Sequence, residues 1–274
     1  MPENQPSKSS SPVEKNPQPG QTPPAQNEPG ANIPAQKNQP PQNPPAQKTF
    51  QSGVQALDSL FGGAIPQGSN VLVYGEPMCG KKLILMRYIY EGLKSQLPAI
   101  LILTDFGYAG WSSKMRSHGM DLAPFEKSGL LRAVDCYSKQ FEPSLQNTDA
   151  IKYAQGPWAL SEISVLISEA QESLLENYKS HRLAFHSLSS TLEESDSQEF
   201  YKFLQAQTGK LRKNGAASLF SLEKGMHSQK EVSMIEHLMD GMVEFEEGKV
   251  KAKGLGSNGQ WREYSVESGI LQIK

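Results

Sequence analysis

Val71-Leu-Val-Tyr74 followed by Gly75-Glu-Pro-Met-Cys-Gly80-Lys81-Lys82 is the stretch that decides the fold. A compact apolar run reads as a buried strand, and Lys81 to Lys94 carries a helical pattern. Between them lies a turn that fits Gly-x-x-x-x-Gly-Lys, in the strand-to-helix context that gives that string its meaning. Glycines let such a loop wrap closely, so that its N–H groups point inward and the helix adds its positive end. The loop residues Gly75, Glu76, Pro77, Met78, Cys79, Gly80, Lys81 and Lys82 are therefore the candidate phosphate-binding set, with Lys81 reaching the β- and γ-phosphates. Glycine-rich turns without a ligand also occur; strand, loop length and lysine together favour the phosphate site. Position 82 departs from the pattern. A Ser or Thr hydroxyl there ordinarily ligates Mg²⁺, and an ammonium cannot ligate a metal. Lys82 either brings a second positive charge to the phosphates or points into solvent.

Outward from the loop the chain alternates. Ala99–Thr104 is nearly all aliphatic, as a strand buried on both faces should be. Leu131–Val134, Arg182–His186 and Ala217–Leu222 are further strand candidates. Helical spacing marks Trp158–Tyr178, Ser197–Lys213 and Ser228–Met239. Repeated β-α alternation predicts an α/β fold with a mostly parallel, helix-covered sheet. Gly241–Glu246, Lys249–Lys253, Trp261–Val266 and Ile270–Ile273 read as a closing set of mostly antiparallel strands along one edge.

Residues 1–49 differ in kind. They hold 13 of the 19 prolines, no aromatic residue, and Val13 and Ile33 as the large aliphatics. Such a segment cannot bury enough apolar surface to offset its ordering entropy, so it is expected to be a disordered Pro/Gln-rich tail. A plain linker or a partner ligand are its two readings. Residues 50–274, about 225 positions, suit one domain. Formal net charge is −2 and neither sign dominates a long stretch, which argues against nucleic-acid binding by a basic field. No run of about 18 apolar residues predicts a membrane span, and the polar N-terminus lacks a signal-peptide core. Cys79 and Cys136 form no Cys-x-x-Cys, which fits a reducing, cytoplasmic setting.

Several blocks resemble KaiC-domain proteins of archaea and bacteria, within the RecA superfamily. They are the entry segment Ser52 to Ser69, Ser117-His-Gly119-Met-Asp121-Leu122, Glu223-Lys-Gly225-Met226-His227, His237-Leu-Met-Asp240-Gly241, and Trp261-Arg-Glu-Tyr264-Ser-Val266 with Gly269-Ile270. They occur in the family's order across residues 50–273. The resemblance implies a RecA-like domain with ATP or ADP on Gly75, Gly80 and Lys81. It also implies a homo-oligomer, or a hetero-oligomer with a related ATPase, in which late strands reach the neighbour's nucleotide; Lys253 is the residue carried over for that role in trans.

The family's catalytic pattern is interrupted at four places. The magnesium Ser/Thr is Lys82. The two glutamates that activate water are matched by Asp105-Phe106, the first carboxylate shortened and the second lost. His186 occupies the place of the Walker B aspartate. In the late Lys-x-Arg-Gly stretch Lys253 remains, while the arginine is Leu255. Phosphoryl transfer needs a metal, an oriented water and cations over the developing charge, and these losses fall on that one mechanism while Gly75, Gly80 and Lys81 are intact. The expectation is retained nucleotide binding with impaired hydrolysis and little role for Mg²⁺.

Asp105 remains a candidate base, but it is one methylene shorter than glutamate, and an error of about 1 Å costs about 100-fold. His186 reads as a hydrogen-bonded filler ahead of a ligand or base. Cys79, before a helix N-terminus and beside two lysines, has a setting that lowers a thiol pKa; a small residue in a tight loop is the plainer account. Trp261 and Tyr264 are expected to pack the terminal sheet. Lys249, Lys251 and Lys253 alternate along one strand face, lining an interface or solvent. The candidate functions are a nucleotide-binding regulatory or scaffold protein, a working ATPase in a ring, or an interaction module without nucleotide.

Overall fold

The computed structural model describes residues 49–53, 55–267 and 270–274. The expected disordered tail falls outside the described residues except for Thr49, which pairs in a two-residue strand. In chain order the strands are β1 (Thr49–Phe50), β2 (Ile65–Pro66), β3 (Asn70–Gly75), β4 (Ala99–Leu103), β5 (Leu131–Asp135), β6 (Ile151–Tyr153), β7 (Arg182–His186), β8 (Ala217–Glu223), β9 (Gly241–Glu246), β10 (Lys249–Gly254), β11 (Arg262–Glu267) and β12 (Ile270–Ile273). The helices are α1 (Gln55–Leu60), α2 (Lys81–Lys94), α3 (Tyr108–Ser117), α4 (Ala123–Lys127), α5 (Leu160–Leu175), α6 (Leu188–Glu193), α7 (Ser197–Lys213) and α8 (Gln229–Glu236).

The main sheet runs β12-β11-β10-β9-β3-β8-β7-β4-β5-β6. From β9 to β6 every pairing is parallel, and β9 to β12 pair antiparallel in succession. The expected α/β architecture with late strands extending one edge is thus present. β9 is the junction, parallel to β3 on one side and antiparallel to β10 on the other, because α8 carries the chain across the sheet before it. Short β6, at the opposite edge, has no strong sequence signal.

Alternation along the strands explains why both faces are covered. Val71, Val73, Leu101 and Leu103 point to one core, with Leu57, Tyr88 and Trp111. Leu72, Tyr74, Ile100 and Ile102 point to the other, with Leu166, Phe185, Phe200 and Phe220. A strand apolar at every position can only be stable between two such layers. Arg182, buried in β7, is kept by Tyr88: its guanidinium donates to the Tyr88 carbonyl at 2.6 Å and lies 4.6 Å from the ring centroid.

The carboxyl ends of β3, β4, β7 and β8 therefore meet on one rim. Thr104 clamps two of them. Its hydroxyl donates to the carbonyls of His186 and Ser187 at 3.0 and 2.7 Å, and the Ser187 N–H donates back to it at 2.8 Å. Next to them, the fully buried Asp135 carboxylate accepts from the Tyr108 N–H at 2.7 Å, the Ser138 hydroxyl at 2.7 Å, and the N–H groups of Tyr137 and Ser138. That anchor sets the start of α3 against the rim. Among the described residues no helix is long and apolar enough to cross a membrane.

Candidate functional site

The turn from β3 into α2 is held by its glycines. A Cβ on Gly75 would lie 2.7 Å from Phe245 Cβ and 2.9 Å from Cys79 Sγ, so no side chain fits. Gly80 has φ +105°, a backbone state side chains resist, and a Cβ there would meet Val266 at 3.2 Å and Leu271 at 3.4 Å. No side chain caps the N-terminus of α2. Uncapped first-turn N–H groups behind a tight glycine loop are the arrangement that suits an anion.

Lys81 is buried, and its three ammonium protons have three oxygen acceptors: the carbonyls of Gly75 and Glu76, both at 2.6 Å, and Glu223 Oε2 at 2.7 Å. An arriving phosphate would exchange with these. Glu223, at the end of β8, escaped notice as a site residue; its position directly after an apolar strand run was the available signal. Pro77 and Met78 form the exposed tip, Met78 at 99% exposure with φ +62°. Glu76 enters through its backbone carbonyl. Cys79 fits the plainer of its two expected accounts, a small residue in a tight loop: burial pushes the thiol above its ordinary range, and the opposing charge of Lys81 is too weak to reverse that.

Lys82 takes a position between its two expected alternatives. It lines the cleft, and its Nζ stands 4.9 Å from the Phe106 ring centroid and 5.8 Å from that of Trp111. Both lie within the range of a cation–π contact. Asp105 and His186 form a second pair, with Nδ1 2.6 Å from Oδ1. The contact is close, but the ring nitrogen is not aligned for a hydrogen bond. Burial raises the Asp105 carboxyl, but contact with His186 and the charges of His186 and Lys82 outweigh it and hold the group below the usual carboxylate range. His186 is buried and rests on Trp111, ring centroids 4.7 Å apart.

These residues share one cleft of about 440 Å³, which Lys114 and His118 of α3, Ser221, Glu223 and Val266 also line. The structure brings Pro77, Met78, Gly80, Lys81, Lys82, Asp105 and His186 together there. It does not bring Lys253, which lies on β10 and pairs within its own chain with Glu244 at 3.1 Å and Glu236 at 4.0 Å. Lys251 also pairs with Glu244, at 3.0 Å, and stands 3.9 Å from the Trp261 ring centroid. Tyr264 packs edge-on against Phe245 at 4.9 Å. Lys114, His118 and Trp111 were not singled out by sequence, because α3, with Gly110 and three serines, was not read as a helix. No group of three or more His, Cys, Asp or Glu suited to a metal ion occurs among the described residues.

Comparison with known proteins agrees with this geometry. The family described as "ATPase: KaiC" matches residues 50–257. A UPF0273 protein of Pyrococcus horikoshii is 28% identical over 98 residues, 34% of this chain and 40% of its own length. The circadian clock oscillator protein KaiC of Picosynechococcus sp. is 25% identical over 240 residues, 81% of this chain and 42% of its own. The chain thus spans about two fifths of the length of these relatives. The crystal structure of a KaiC-like protein from Pyrococcus horikoshii OT3 superposes with a TM-score of 0.64 at 16% identity, covering 83% of this chain and 99% of that one. That likeness bears on the fold. With the glycine loop, the buried Lys81 and the match across most of the chain, the protein belongs to the KaiC ATPase family, a nucleotide-binding branch of the RecA superfamily.

Proposed function

We propose that this chain binds ATP or ADP without turning it over, and that occupancy biases oligomerisation or the docking of a partner. One observation carries the reading: the altered catalytic positions are engaged with one another. Lys82 is spent on Phe106 and Trp111, and Asp105 on His186. Asp105, in contact with His186, is poorly placed to draw a proton from water. The residues present also fit Mg²⁺ poorly. Lys82 offers an ammonium where a hydroxyl would ligate, and Asp105 is already in contact with His186. The binding half, by contrast, keeps the tight loop, the uncapped helix and a buried lysine.

The setting we assign is the cytoplasm. Partners would be further copies of this chain or a related ATPase, with residues 1–49 as a second, protein-binding element. Lys253 would serve a neighbour's nucleotide only after leaving Glu244.

Titration calorimetry with ATP and ADP, with Mg²⁺ and with EDTA, beside a phosphate-release assay, tests the proposal. Affinities within a few-fold of each other with and without metal, and phosphate release at background, are expected. Multiple turnovers abolished by Lys81→Ala would refute the loss of hydrolysis. One feature favours the reading without nucleotide: Lys81 already has acceptors for all its protons. If so, saturating ATP, ADP or GTP would leave the melting temperature unchanged, whereas binding must raise it by mass action.

A further inference from the structure

We infer that Lys114 and His118 of α3 recognise the terminal phosphate of a nucleoside triphosphate in place of a divalent metal, so that the cleft distinguishes triphosphate from diphosphate. The inference rests on the proposed nucleotide site and adds to it the feature by which occupancy is read.

The placement comes from helix spacing. Trp111, Lys114 and His118 follow one another at three and four residues, so they form one stripe of α3. Trp111, fully buried, is the floor of that stripe: it lies under Lys82 and against His186. Lys114 and His118 continue the stripe outward and line the same cleft as Gly80, Lys81 and Lys82. Asp135 holds the first turn of α3 to the sheet through the Tyr108 N–H, so this wall has a fixed distance from the loop.

Charge supplies the second argument. Three lysines, Lys81, Lys82 and Lys114, line the cleft with two carboxylates, those of Asp105 and Glu223. Asp105 is taken by His186 and Glu223 by Lys81. Among the described residues no carboxylate lies within ion-pair distance of Lys82, Lys114 or His118, while Arg116 on the same helix has Asp121 at 3.3 Å. A cleft left with unbalanced positive charge raises the local concentration of anions and favours the most highly charged of them. Lys81 and the loop serve the inner phosphates. Lys114 and His118 line the α3 wall of the cleft that Lys82, Asp105 and His186 also line, and we assign the third phosphate to that wall. A lysine offers three donors there, and an imidazole N–H donates whether or not the ring is charged.

Calorimetry on the full chain in EDTA, with ATP and separately with ADP, tests this. Wild type is expected to bind ATP tighter than ADP by about tenfold or more, the weight of a charge-assisted hydrogen bond. Joint substitution Lys114→Ala and His118→Ala should bring the two affinities within about twofold while leaving that for ADP unchanged. Lys114→Gln alone, at an exposed position where folding is not at stake, should remove about threefold or more of the preference. Arg116→Ala should remove none. Equal wild-type affinities, a preference that survives the joint substitution, or an equal loss of ATP and ADP affinity would each overturn the inference and leave the nucleotide site standing. Failure of both nucleotides to bind wild type would overturn the site and the inference together.

Discussion

If Lys82 is held by aromatic rings and is not a free surface lysine, that contact must show as coupling free energy in the protein without ligand. The Nζ stands 4.9 Å from the Phe106 centroid, inside the about 6 Å within which a ring face attracts an ammonium. Phe106 is 37% exposed and Lys82 half-buried, so the contact is only partly desolvated. That places the pair in the lower part of the known range, about 0.5–1 kcal/mol. Single substitutions would not isolate it. Lys82 also helps hold the Asp105 carboxyl down, so Lys82→Met removes that interaction as well. A double-mutant cycle cancels the shared part: Lys82→Met keeps the stem and discards the charge, Phe106→Leu discards the ring face, and the difference from additivity belongs to the pair.

The assay is urea unfolding of the four proteins at neutral pH in EDTA, without nucleotide, at equal m-value. The expected coupling favours the wild-type pair by about 0.5–1 kcal/mol. A value within about 0.3 kcal/mol of zero, the range in which independent sites add, would refute the seating of Lys82 on Phe106. Lys82 would then be solvated, and the case for a rewired cleft would rest on Asp105 and His186 alone.

His181, fully buried, has its pKa lowered to about 4 from 6.5 by burial. The unfolded chain therefore takes up the proton first. This contribution to stability is complete above pH 6.5 and is lost as pH falls toward 4, by about 3 kcal/mol in all. Urea unfolding of wild type against His181→Leu across that range should show the gap between them shifting against wild type by that order; a constant gap would refute it. Cys79 should alkylate with iodoacetamide at pH 8 more slowly than a free thiol, because burial raises its pKa. A rate at or above that of the free thiol would restore the activated-cysteine reading, and the buried Cys136 should react only on unfolding.

The fold was legible wherever the pattern was local and long. Val71–Tyr74 and Ala99–Thr104 are apolar at nearly every position, and helical spacing marked α5 and α7. The glycine loop was legible because it needs particular residues at fixed offsets. Three features were not, each for a physical reason. The helix α3 carries Gly110 and three serines, weak formers that tertiary contacts such as the Asp135 anchor override. For Cys79 the local cue, helix end plus lysines, pointed to a lowered thiol pKa, and the burial that raises it is visible only in the fold. The seat of Lys82 depends on Phe106 and Trp111, brought to the rim by β4 and α3, and nothing in the loop's own sequence announces them. The altered positions could be read one by one; that they face each other could not.

That mutual facing changes what the substitutions mean. Against the pattern that the resemblance implies, a lysine for a hydroxyl, a phenylalanine and a short acid for two glutamates, and a histidine for an aspartate read singly as losses. In the folded cleft each is the other's environment. Aspartate restored at position 186 would set a second carboxylate near Asp105, whose present partner lies 2.6 Å away. Two like charges about 4 Å apart at an effective dielectric constant of 20 repel by about 4 kcal/mol, relieved only if they share a proton. Threonine restored at position 82 would strip the ammonium from the Phe106 face and from the field that holds Asp105 ionised. Each single step back toward the family pattern thus breaks a contact before it makes one. Effects of residues that act as a unit are not additive. The altered positions pair locally, Lys82 with Phe106 and Asp105 with His186, around the tight glycine loop; on the function we propose, such a cleft holds an anion and is poorly equipped to cleave it.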